Sequence, residues 1–161
     1  MTQNVQLCAE ISLPALQALL GEYGLKVVML PDGADIPGSY WGAPEAGLVL
    51  DSLYIRPDTP THSALHEAGH WICMDDARRA NLHTDAGGTV LEECAVNYLQ
   101  ILLAEALPDQ GTGGRHGIRL PGAGCRGGLE DLQDRALDDT EVLCHDIQLA
   151  AHQLAARVEQ A

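Results

Sequence analysis

Phenylalanine is absent from this 161-residue chain, and Trp and Tyr together leave the aromatic content at 4%. The core must therefore be built mainly from Leu, Val, Ile and Ala. Apolar residues make up 46% of the chain, which places it among globular rather than disordered sequences. Basic residues are also few: nine Lys and Arg stand against 23 Asp and Glu, a formal net charge of −14. A surface that acidic repels phosphate backbones and argues against direct nucleic-acid binding, though not against a protein partner that itself binds DNA. No apolar run has the length needed to span a bilayer. Residues 1–10 lack the basic stretch and apolar segment of a secretory signal. The five cysteines (Cys8, Cys73, Cys94, Cys125, Cys144) are odd in number, scattered, and form no C-x-x-C. These absences together lead us to expect a cytoplasmic protein with reduced thiols and no membrane association. The length suits one domain, residues 1–161, burying roughly two thirds of its unfolded surface around one core.

The punctuation of the chain predicts an α+β fold. Ser12 before Leu13-Pro14 reads as a helix cap, with Leu16, Leu19 and Leu20 at helical spacing until Gly21 and Gly24. Residues 25–30 are β-branched and read as a strand stopped by Pro31-Asp32-Gly33. Residues 31–46, with three Pro and three Gly, read as a loop. Residues 47–55 read as a second strand, stopped by Arg56-Pro57, and Thr59-Pro60 opens a helix expected over about 60–79. Thr89 with Glu92 three residues on has capping-box spacing, so a further helix runs from Thr89 to Pro108, carrying Leu91, Val96, Leu99, Leu102, Leu103 and Leu107. Residues 108–127 are Gly-rich and read as a long loop, either functional or mobile. The tail over 128–159 is helical by period.

Chemistry concentrates in His66-Glu67-Ala68-Gly69-His70, which fits H-E-x-x-H. Residues four apart share a helix face, so both imidazoles reach one ion. Zinc suits such a pair, with a near-tetrahedral shell and one position left for water. Glu67, rotated about 100° from His66, is placed to take a proton from that water rather than to bind the metal. The expected cofactor is one Zn2+ ion.

A third protein ligand is needed, and several residues are eligible. Asp76 has the spacing of one zinc-peptidase pattern but lacks the Gly that pattern needs at Cys73. Cys73 lies one turn past His70, though such a Cys is more often a small core residue. His83 and Asp85 lie on the connecting segment. Glu93, in the first turn of the next helix, is the strongest candidate, with Asn97 one turn behind it to accept a hydrogen bond from the far nitrogen of a ligand histidine. Glu92 is the near alternative, already occupied by its capping role.

His66-Glu67-Ala68-Gly69-His70, followed by Glu93-Cys94-Ala95-Val96-Asn97 and Leu102-Leu103, resembles the pattern H-E-x-x-H…E-x-x-A-N-x-x-A-x-x-L-L of the small bacterial ImmA/IrrE-type metallopeptidases, a gluzincin group. Val96 stands where that pattern has Ala, Gln100 where it has a small residue, and Pro108 lies beyond its usual end. The resemblance covers roughly residues 45–108. It implies a minimal zincin-like domain, a small sheet packed on an active-site helix and a following ligand-bearing helix. It implies His66, His70 and Glu93 as ligands, Glu67 as base, and Asn97 behind the ligands. It also implies a protein substrate of narrow specificity, such as a DNA-binding repressor.

Other residues have possible parts in that chemistry. Tyr54, His83, Tyr98, Arg115 and His116 are able to donate to an oxyanion, and the Gly-rich loop is able to act as a lid. An extended peptide is expected to add to an exposed edge of the 47–55 strand. Asp75-Asp76 and Arg78-Arg79 read as a solvated helix end, and His145 and His152 as core or surface. Two other functions fit the same motif: a zinc-binding regulatory scaffold without catalysis, and a zinc hydrolase of a non-peptide substrate.

Overall fold

A computed structural model describes residues 5–108. The Gly-rich loop and the helical tail, with Arg115, His116, His145 and His152, lie outside the described residues. After a 3-10 turn at Cys8–Glu10, the elements run α1 (Leu13–Gly21), β1 (Lys26–Met29), β2 (Gly47–Val49), β3 (Ser52–Ile55), α2 (Thr61–Cys73), α3 (Asp76–Arg79) and α4 (Val90–Ala106). The class is α+β.

The sheet order is β1-β3-β2, with β1 parallel and β2 antiparallel to β3. Residues 47–55, expected as one strand, form a tight hairpin instead. The chain reverses at Leu50-Asp51, with Leu50 exposed and in the left-handed region (φ 50°). The apolar run through Leu48, Val49 and Leu50 hides the turn, because no Gly or Asn marks it. The free side of β2 is covered as well. Leu50 N donates to Leu82 O (2.9 Å), Thr84 N donates to Leu48 O (3.1 Å), and Ser39 bridges Gly47. The edge expected to receive a peptide is therefore occupied by the chain itself. A Cβ on Gly47 would run into Pro37 O, and one on Gly38 into Leu48 O, so only glycine permits this crossing.

α1 is capped as expected, with Ala15 N donating to Ser12 Oγ (3.3 Å). It buries Leu16, Leu19 and Leu20. α2 differs from expectation at both ends. Its flanking residue is Pro60, with no side-chain cap, while the buried Thr59 Oγ1 accepts from Arg56 N (2.9 Å). At the other end it stops at Cys73, because Met74 is extended and Asp75 caps a new short helix by accepting from Arg78 N (2.8 Å). The helix expected to reach residue 79 is thus two helices.

α2 lies at the centre of the fold and packs most extensively on α4. Gly69 sets the separation of the pair: a Cβ there would sit 3.0 Å from Val96 Cγ1 and 3.2 Å from Val96 O. Leu65, Val96, Leu99 and Leu103 close the core from these helices, with Leu48, Leu53 and Ile55 from the sheet and Leu16 and Leu20 from α1. Trp71 Nε1 donates to Tyr23 O (3.0 Å), fixing the far end of α2 to the end of α1. No helix of the described residues is long and apolar enough to cross a membrane.

Candidate metal centre

His66 and His70 lie one turn apart on α2, and the close approach of α4 at Gly69 brings Glu93 against them. The two imidazole Nε2 atoms are 3.2 Å apart. Glu93 Oε1 is 3.4 Å from His70 Nε2, and its Oε2 is 3.7 Å from His66 Nε2. A tetrahedral ion with bonds of about 2.0–2.2 Å separates its ligand atoms by roughly 3.3–3.6 Å. Two imidazoles and a carboxylate with these spacings, all within 4.8 Å of one another, form a group that could hold a metal ion. Glu93 is brought to the histidines as the sequence favoured.

The far nitrogens of the two rings have different surroundings. His66 Nδ1 lies 3.3 Å from Gln100 Oε1. Asn97, the expected partner, is exposed. Gln100 lies seven residues beyond Glu93, two turns along α4, a spacing that puts it on the same helix face. His70 is 5% exposed, and its Nδ1 has no hydrogen-bond partner among the described residues. Glu92 Oε1 stands 3.8 Å from it. Burial holds the His70 imidazole below its usual pKa against the pull of Glu93, which favours the neutral form that coordinates metals.

Glu92 does not close the capping box. Its backbone N–H donates to Thr89 Oγ1 (3.2 Å), but its carboxylate turns to Arg78, which donates from Nη1 (2.8 Å) and Nη2 (2.9 Å). Arg78 also donates to Ala86 O and Gly87 O, both at 2.8 Å. It is therefore a tether between α3, the 86–87 segment and α4, not part of a solvated helix end. Its main partner is 14 residues away, beyond the reach of local pattern reading.

Glu67 faces a cleft of about 260 Å³ that also borders His70 and Glu93. Burial pushes its carboxyl up to about 7, and the negative charges of Glu93 and Glu45 add to the rise. At that value the group both accepts and releases a proton near neutrality. Tyr40, Trp41, Glu45 and Asp85 complete the rim. Trp41 is 83% exposed and packs edge-on to Tyr40 at 5.0 Å between centroids. Four carboxylates line the cleft (Glu45, Glu67, Asp85, Glu93), and no Lys or Arg does among the described residues. The Tyr40–Trp41–Glu45 rim was not found from sequence, because the segment reads only as a Pro/Gly loop.

The remaining candidates are not part of the His66–His70–Glu93 group. Cys73 is buried in the core. Asp76 is fully exposed, 3.5 Å from Arg79. His83 is exposed, with Nδ1 2.9 Å from Thr84 Oγ1. Asp85 accepts from Gly87 N (2.8 Å) and forms part of the cleft wall. Tyr54 is half-buried on β3, and Tyr98 packs against the core. Comparison with known protein families, with curated protein sequences and with solved structures finds no match for this chain.

Proposed function

We propose that the chain is a zinc metallopeptidase of gluzincin type, with a minimal zincin-like fold and an active site centred on His66, Glu67, His70 and Glu93. The observation that carries this reading is the convergence of two imidazoles and one carboxylate on one small space, with a second carboxylate, Glu67, next to His66 and facing a cleft. A purely structural site has no need of Glu67 and fills its fourth position with Cys or His. The resemblance of the 66–70 and 93–103 segments to the ImmA/IrrE-type enzymes points the same way.

Zinc held by His66, His70 and Glu93 would supply Lewis acidity, polarising the scissile carbonyl and acidifying the attacking water. Glu67 takes a proton from that water and returns it to the leaving amine. Gln100 holds the His66 ring by its far nitrogen. The acidic rim, with Glu45 and Asp85 left over once Glu67 and Glu93 are engaged, favours a substrate segment rich in Lys or Arg. A DNA-binding regulator offers such segments, which fits an intracellular role in cutting a repressor-like protein.

The test is direct. Zinc-loaded protein is incubated with a mixed peptide library and the products are read by mass spectrometry. Cleavage should stop with a chelator, return with zinc, and be lost in Glu67→Gln while that variant keeps one zinc. Cleavage by Glu67→Gln at the wild-type rate, or a wild-type chain without stoichiometric zinc, overturns the reading. Zinc retained with no cleavage by either form overturns the peptidase reading in favour of a non-catalytic scaffold or a hydrolase of a non-peptide substrate.

A further inference from the structure

Glu92 and Arg78 are unexplained by the chemistry above. Glu92 occupies the third position of α4, where its carboxylate has a ready local use in closing back on the Thr89 backbone. It turns away from that use. Both oxygens are held by one guanidinium, at 2.8 and 2.9 Å, in the two-point geometry that fixes a carboxylate in plane. The guanidinium is fixed in turn by Ala86 O and Gly87 O, and Arg78 sits on a helix that exists because Asp75 caps it. The carboxylate so held is only 14% exposed, and Oε1 faces the one nitrogen of the His66–His70 pair left without a partner among the described residues, His70 Nδ1, at 3.8 Å. A buried N–H without an acceptor costs about 1–3 kcal/mol. An approach of less than about 1 Å brings the pair within hydrogen-bond range.

We propose that Glu92, clamped by Arg78, is the positioning residue for His70: it accepts a hydrogen bond from Nδ1–H and so keeps the Nε2 lone pair directed at His66 Nε2 and Glu93. This rests on the metallopeptidase reading for its purpose, though not for its geometry. The two histidines are then held differently, His66 by the neutral amide of Gln100 and His70 by a carboxylate. A carboxylate behind a ligand imidazole fixes its tautomer and strengthens it as a donor to the metal. The break in the helix at Met74 acquires a reason, since a continuous α2 would carry Arg78 elsewhere. Glu92 is thereby distinguished from its neighbour Glu93, which faces the Nε2 side of the same ring.

The experiment compares full-length wild type with Glu92→Gln and Arg78→Met. Zinc dissociation constants are measured by competition with a chromogenic chelator, and the ring tautomer of His70 by long-range ¹H–¹⁵N NMR on the metal-free protein. Wild-type His70 should carry its proton on Nδ1, and Glu92→Gln, which offers a neutral amide oxygen in place of the carboxylate, should weaken that preference. Zinc should bind about 10–100-fold more weakly to Glu92→Gln. Arg78→Met, which touches neither ring, should also weaken zinc binding, with helical content unchanged. Wild-type affinity in both variants overturns the proposal, as does a wild-type His70 protonated on Nε2. Should Glu92→Gln fail to fold, the wild-type tautomer and the Arg78→Met affinity decide the matter. A wild-type chain that takes no zinc overturns the metallopeptidase reading, and the tautomer then decides the Glu92 proposal alone.

Discussion

Replacing Glu67 by Gln should stabilise the metal-free protein, and the gain should depend on pH. The Glu67 carboxyl, ordinarily near 4.5, is pushed up to about 7 by burial and by Glu93 and Glu45. A group bound more tightly to its proton in the folded chain contributes stability that is complete below the unfolded pKa and lost as pH rises through the folded one. Wild type should therefore lose stability relative to Glu67→Gln between about pH 4.5 and 7, and the difference should level off above that. At about 1.4 kcal/mol per pH unit the rise sets a ceiling of roughly 3 kcal/mol. Because Glu67 borders an open cleft, solvent screening reduces this to roughly 1–2 kcal/mol. Urea unfolding in the presence of chelator, at half-unit steps from pH 4.5 to 8.5, measures the difference directly. A difference that stays flat with pH, or a wild type more stable than the variant above pH 7, refutes the reasoning. Saturating zinc should shrink the gap, since a cation beside the carboxylate favours its charged form.

Three further outcomes follow from the geometry. His66→Ala and His70→Ala should each bring zinc content well below one per chain, measured by elemental analysis after dialysis; full loading of either variant would remove that histidine from the ligand set. Gly69→Ala gains about 1 kcal/mol of helix propensity but forces a methyl against Val96, an overpacking of about 1–3 kcal/mol. The variant should therefore melt lower and bind zinc more weakly as α4 is pushed off α2, and a raised melting temperature would show the separation to be slack. Glu45→Lys should raise KM for Lys- or Arg-rich peptides several-fold with little change in kcat, read from initial rates; an unchanged KM would take Glu45 out of substrate recognition.

The readable parts of this chain were those with local chemistry. Ser12 and Thr89 announce their helices because a hydroxyl placed to accept a backbone N–H works within four residues. The 66–70 spacing predicts a shared face for the same reason. The reversal at Leu50-Asp51 was hidden because a non-glycine residue takes the left-handed turn inside an apolar run. The break at Met74 had one signal, Asp75 as a cap, masked by a plausible continuous helix. Arg78 and Glu92 show the limit most clearly: each had a satisfactory local account, as a solvated end and as a capping box. A tertiary partner overrode both. Gln100 lay in between, since two turns from Glu93 is as local a spacing as the one turn that pointed to Asn97, and only the packing of α4 on α2 decides which amide meets the ring.

The crossing of Gly38 and Gly47 has a consequence for how such a cleft can change. There the chain is joined backbone to backbone, with Ala46 N further held by Ser63 Oγ at 3.0 Å. Residues 40–45, bearing Tyr40, Trp41 and Glu45, are thus bracketed between two fixed points and contribute no atom to the group formed by His66, His70 and Glu93. On the metallopeptidase reading proposed above, grafting other six-residue sequences between Ser39 and Ala46 should retune which peptides enter while leaving zinc affinity at its original value, so that selectivity would diverge without any change to the residues that hold the metal.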